Sequence, residues 1–159
     1  MGRAGLVVGF DESAGARSAL VWAAAEAVRA GLPLRAVHVL SWPFGPCSSD
    51  LDEMVGDAEP YDVYPGSVIS AFRACQLHPA CALTFARGAA GPALVERARG
   101  AAALVVGMPD QTGLGRLPVG SVAHHCLSHA TCPVVVVPAA PRAVIASCTT
   151  PGELHEAIS

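Results

Sequence analysis

At 159 residues, 52% of them apolar, the chain is long enough for one domain with a sizeable core and too hydrophobic to be disordered. Its net charge of −3 offers no basic field for nucleic acid or an anionic membrane surface. All ten basic residues are arginine, which removes every mechanism that needs a lysine.

Leu6-Val7-Val8-Gly9 is a short apolar run and reads as a first strand buried on both faces. A helix begins near Ser13 or Gly15 and runs to about Ala30, where Gly31-Leu32-Pro33 is a stop signal. Within it, Ala19, Leu20, Ala23, Ala24 and Ala27 favour close packing on a sheet, and Trp22 is expected to be a packing residue. Leu34 to Leu40 is the second strand, with Val37 and Val39 flanking His38. Ser41-Trp42-Pro43-Phe44-Gly45-Pro46 is a breaker-rich exit loop whose aromatics either cover the sheet end or shield a ligand. The acidic residues Asp50, Asp52, Glu53, Asp57, Glu59 and Asp62 follow without a basic neighbour. They read as a solvated face, since their spacing matches no calcium loop.

The second half repeats the alternation. A helix spans Gly66 to about Cys75, a third strand Cys81 to Ala86, a helix Ala93 to Arg99 and a fourth strand Ala102 to Val106. Next come Gly107-Met108-Pro109-Asp110 and a glycine-rich loop to Val119. A helix then runs from Gly120-Ser121 to about Ala130, and the last strand is Val134-Val135-Val136-Val137. Strands alternating with helices imply a single-domain, three-layer α/β sandwich, Rossmann-like, with a five-stranded, mostly parallel sheet and helices on both faces. The domain is expected over residues 1–138, followed by a weakly patterned tail over 139–159 that forms a helical turn or two or is disordered. Ligands of such sheets bind beyond the carboxyl ends of the strands, where the strand order reverses.

Residues 1–10 run straight into a strand without a cleavable leader, and no apolar run reaches the roughly 18 residues of a membrane helix. The six cysteines, Cys47, Cys75, Cys81, Cys126, Cys132 and Cys148, are scattered and read as reduced, semi-buried small hydrophobes. A cytoplasmic location is therefore expected.

A glycine-rich loop leading into a helix N-terminus is an anion-binding arrangement, because main chain can approach closely and the first helical amides lack partners. Common enzyme templates fail on it. Gly115 to Gly120-Ser121 lacks the lysine of a P-loop, and Gly113-Leu114-Gly115 ends in Pro118 where a dinucleotide fingerprint needs Gly or Ala. A phospho-receiver site would also need a lysine.

Gly107, two residues, position 110, nine residues and Gly120-Ser121 reproduce the spacing of the ATP-binding motif of the universal stress protein family. Val8-Gly9-Phe10-Asp11-Glu12-Ser13 resembles that family's first strand and Asp-x-Ser turn, and Val37-His38-Val39 its second strand. Ala103 to Gly107 and His129 to Val136 are similar to its fourth and fifth strands. The resemblance covers nearly the whole chain to Pro138. It implies an ATP-binding stress-response regulator that forms homodimers and is not an efficient enzyme. By motif position, Asp11 would contact the ribose, Val39 the adenine and Gly107 the phosphates, while Gly120 and Ser121 would donate to the phosphates. Gly9, Val106 and Val122 would form walls, and Ser13 belongs to the Asp-x-Ser turn. The dimer would pair through the last strand, Val134 to Val137.

Asp110 stands where the motif asks for glycine. Aspartate tolerates a left-handed backbone, but its charge repels a triphosphate unless a cation such as Mg2+ bridges them. Binding is then expected to be weaker, metal-dependent or shifted towards AMP, with Arg116 compensating in part. The alternatives are a nucleotide-independent interaction module and, less favoured, an enzyme that hydrolyses or adenylates with ATP, as distant relatives of this fold do. His124, His125, Cys126, His129 and Cys132 are a metal-capable cluster without a zinc spacing and are read as packing residues. No catalytic residue and no metal site is assigned, since no His or Lys is placed beside Asp11, Ser13 or Ser121 as a base.

Overall fold

The computed structural model describes residues 4–40, 66–75, 81–109 and 119–139. Five strands form one sheet in the order β3-β2-β1-β4-β5. They are β1 (Leu6–Gly9), β2 (Leu34–Leu40), β3 (Ala82–Arg87), β4 (Ala103–Gly107) and β5 (Val134–Val137). Each pairing is parallel, so the sheet is parallel throughout rather than mostly so. The helices are α1 (Ala14–Ala30), α2 (Gly66–Ala74), α3 (Ala90–Arg97) and α4 (Ser121–His129).

Alternation along the strands sorts the core into two layers. Leu6, Val8 and Val105 point to the side of α1 and α2, where they meet Ala19, Leu20, Ala23, Val68 and Ala71. Val7, Val37, Leu104 and Val106 point to the side of α3 and α4, against Leu94, Ala98, Ala123 and Cys126. Leu20 and Leu104 are fully buried, each contributing about 1.5–3 kcal/mol over an exposed side chain.

The first helix shows how local chemistry sets an element. Ser13 is its N-cap, extended at φ −64° and ψ 157°, and its hydroxyl accepts from the Ala16 amide at 3.1 Å. Gly31 ends it in the left-handed conformation at φ 63°, where glycine avoids a Cβ clash. The alanine-rich stripe lies on the sheet. Trp22 lies off that stripe and is 40% exposed, with Val21 and Val28 more exposed still, which corrects its reading as a packing residue.

Other boundaries shift slightly. The third helix starts at Ala90, three residues before the expected Ala93. Pro92 is only its third residue, where a missing N–H costs no intrahelical bond. Gly91 makes the start possible, since a Cβ there would lie 2.8 Å from the Cβ of His125 on α4. Strands β3 and β4 begin and end one residue later than expected. The edge strand β5 pairs with β4 on one side, and its four valines are half-buried. The acidic segment, Trp42, Phe44, Asp110, Arg116, Cys47, Cys148 and the tail from residue 140 lie outside the described residues.

Candidate functional site

The sheet order reverses between β1 and β4, and the site is built around the exits of these two strands. Gly9 pairs with Val37 as the last step of the β1–β2 ladder. Phe10 then anchors the chain as it leaves: its N–H donates to the Val37 carbonyl at 2.9 Å and its own carbonyl accepts from His38 Nδ1 at 2.8 Å. A carbonyl can only accept, so the proton sits on Nδ1. The Phe10 ring is buried edge-on to Phe72, centroids 5.8 Å apart.

The turn that follows is self-bonded. Asp11 Oδ1 accepts from the Ser13 amide at 3.1 Å and from the Ser13 hydroxyl at 2.6 Å. Glu12, between them, takes the left-handed conformation at φ 61°, uncommon for a residue with a side chain. Arg17 Nε donates to its carbonyl at 3.1 Å. The arrangement holds the exposed Asp11 carboxylate at the cleft, with Oδ2 making no hydrogen bond to a described residue.

On the other side, the end of β4 and the first turn of α1 nearly touch. A Cβ on Gly15 would lie 1.9 Å from the Met108 carbonyl oxygen, and one on Gly107 would lie 2.2 Å from the Gly15 carbonyl carbon. Both positions need glycine for packing alone. At the third wall, α4 starts after Gly120, which caps it in extended backbone with no side-chain hydrogen bond. The His124 amide is the first to find a helical partner, the Gly120 carbonyl at 2.9 Å. The amides of Ser121, Val122 and Ala123 are thus offered at the positive end of the helix dipole.

These parts enclose an open cleft of about 270 Å³ beyond the carboxyl ends of β1, β2 and β4. Gly9, Asp11, Ser13, Val39, Val106, Gly107, Gly120, Ser121 and Val122 all line it. Among the described lining residues, Asp11 carries the one ionisable side chain.

The profile of the universal stress protein family matches residues 5–138. The chain belongs to that family. It is 34% identical over 136 residues to a universal stress protein of Mycobacterium tuberculosis, covering 83% of this chain and 47% of the relative. The chain thus spans about half the length of the curated relatives it matches. The universal stress protein UspA of Lactobacillus plantarum superposes with a TM-score of 0.64 at 21% identity, over 86% of this chain and 99% of that one. A universal stress protein of Archaeoglobus fulgidus in complex with dAMP superposes with a TM-score of 0.56 at 25% identity, over 86% and 99% of the two chains.

In this universal stress protein the cleft also contains residues that sequence reasoning missed: Phe10, Ala16, Val37, Ala90, Leu94, Met108, Pro109 and Ala123. Val37 carried a signal, since it lies two residues from Val39 and so shares its face of β2. Ala90 and Leu94 had none, because only the crossover of α3 brings them over the sheet. The imidazole cluster stands apart from the cleft lining. His125 and His129 stack with centroids 4.1 Å apart, His129 Nδ1 bonds the His125 carbonyl at 3.0 Å, and His125 packs over Gly91. Among the described residues, no three metal-capable side chains converge. Nor is any helix among them long and apolar enough to cross a membrane.

Proposed function

We propose that this universal stress protein is a cytoplasmic, adenine-nucleotide-binding stress-response regulator that acts as a homodimer and not as an enzyme. The observation that carries the reading is the composition of this cleft. An exposed carboxylate, Asp11, an apolar wall around Val39 and an uncapped helix N-terminus at Gly120-Ser121 face one space. Those are the groups a nucleotide needs: an acceptor for ribose hydroxyls, a surface for a base, and amide donors for phosphate. The relative bound to dAMP supports the same ligand class.

Strand geometry adds a polar contact for the base. Phe10 bonds Val37, and Gly88 bonds Leu40 at 3.1 Å, so odd residues of β2 turn their peptide groups towards β1 and even ones towards β3. Beyond Phe10 the chain has left the sheet, and the Val39 peptide groups are turned to the cleft, one donor and one acceptor for the edge of adenine.

Binding rather than chemistry is favoured because Asp11, the one ionisable lining side chain among the described residues, is tied to Ser13, with no base beside a nucleophile. The outer edge of β5, which pairs with no other described strand, supports a two-fold dimer through Val134 to Val137. Asp110 favours a second reading, the nucleotide-independent interaction module, because its charge lies at the phosphate position of the motif.

The deciding experiment is calorimetric titration of ATP, AMP and cyclic AMP, each with and without Mg2+, on wild type, Asp11→Ala, Gly120→Val and Asp110→Gly. Binding that Asp11→Ala and Gly120→Val abolish, and that Asp110→Gly tightens for ATP, upholds the regulator. No binding to wild type under any condition refutes it in favour of the interaction module. Sedimentation of a Val135→Arg variant as a monomer, against a wild-type dimer, tests the assembly.

A further inference from the structure

We infer that His38 is a positioning residue that keeps the Val39 amide open to a bound base, by occupying the carbonyl this amide would otherwise bond. In a parallel ladder the bonds come at fixed steps. The Phe10 N–H bonds the Val37 carbonyl at 2.9 Å, and the next step in the same register is Val39 N–H to the Phe10 carbonyl. That step is not made. The Phe10 carbonyl instead accepts from His38 Nδ1 at 2.8 Å. One imidazole therefore replaces one rung, and a main-chain donor is left facing the cleft.

His38 itself touches no ligand. Its side chain leaves β2 on the face opposite Val37 and Val39, and its ring stands edge-on to Phe85, centroids 5.9 Å apart at 75°. This contact fixes the ring so that Nδ1 meets the carbonyl. The same bond secures the peptide that leads directly into Asp11, so the base end and the ribose end of the cleft share one anchor. The ligand side of this inference rests on the adenine-nucleotide reading; the hydrogen-bond exchange at Phe10 does not.

The test compares wild type with His38→Leu, which has no donor, and His38→Asn, whose Nδ2 lies as far from Cβ as the imidazole Nδ1. Hydrogen exchange of the Val39 amide is read in the ligand-free protein, and AMP and inosine monophosphate are titrated by calorimetry. Adenine N1 accepts a hydrogen bond, whereas N1 of hypoxanthine carries a proton, so an open Val39 amide prefers AMP. That preference is expected to be about tenfold larger in wild type and in His38→Asn than in His38→Leu, where only the Val39 carbonyl still tells the 6-amino group from the 6-oxo group. Exchange at Val39 is expected to slow by about tenfold or more in His38→Leu, as its amide closes on the Phe10 carbonyl. Equal exchange in wild type and His38→Leu, or an AMP preference undiminished in His38→Leu, overturns the inference. If wild type binds neither nucleotide, the functional reading fails while the exchange comparison still decides the role of His38.

Discussion

Gly15→Ala separates two physical arguments that predict opposite signs. Gly15 lies in the first turn of α1, and replacing a helical glycine with alanine ordinarily stabilises by about 0.5–1 kcal/mol. Here the new Cβ would stand 1.9 Å from the Met108 carbonyl oxygen, a backbone atom that no rotamer change can move aside. Relieving the clash requires α1 and the end of β4 to separate by about 1 Å. A gap of that size forfeits a quarter to a half of the dispersion contact beneath the buried Ala16, Ala19, Leu20 and Ala23. Overpacking of this kind costs about 1–3 kcal/mol, and the lost contacts add to it, so the net loss after the propensity gain is about 2 kcal/mol. In a chain of this size that lowers the melting temperature by about 4–8 °C. Denaturant titration and a thermal melt by circular dichroism read it directly. Gly107→Ala attacks the same contact from the other side, at 2.2 Å from the Gly15 carbonyl carbon, and the two losses are expected to be less than additive. A Gly15→Ala protein that melts at or above wild type would refute the reasoning.

Ser13→Ala removes the cap of α1 and the hydroxyl that holds Asp11 Oδ1, so stability is expected to fall by about 1 kcal/mol and nucleotide affinity with it; Ser13→Thr should restore most of both in the same melt and titration. Glu12→Gly is expected to raise stability by up to about 1 kcal/mol in urea titrations, because φ 61° strains a residue with a Cβ more than it costs glycine in entropy. A loss would count against the strained turn. Burial pushes the thiols of Cys75, Cys81 and Cys126 above the ordinary range, so the folded protein binds more protons than the unfolded one there. Their contribution to stability is therefore fully present below the unfolded thiol pKa and falls as the pH rises through the higher folded values. Urea midpoints measured from neutral to strongly alkaline pH should decline in that window, and Cys126→Ala should flatten the decline.

The order and type of the nine elements among the described residues were legible in the sequence, because each carries its own signal. Mostly apolar runs of four to seven residues define the strands, the alanine stripe defines the buried side of α1, and Ser13 and Gly31 mark its ends. Most of the cleft was legible in the sequence too, since Asp11, Val39, Gly107, Gly120 and Ser121 stand at strand ends and at a helix start, where a parallel sheet puts its ligand. Contacts between distant segments were not legible there, because they depend on how the strands pair. The pairing order of the strands brought α3 over β2, adding Ala90 and Leu94 to the cleft. The closeness of α1 to β4 explained why both Gly15 and Gly107 are glycines, a requirement that local conformation alone does not impose. His38 reads in sequence as one polar residue inside an apolar strand. Its bond to Phe10, 28 residues away, exists only because β1 turns out of the sheet three residues before β2 ends. Local propensity fixes what a segment becomes, but which atoms it leaves unpaired depends on where its neighbour stops.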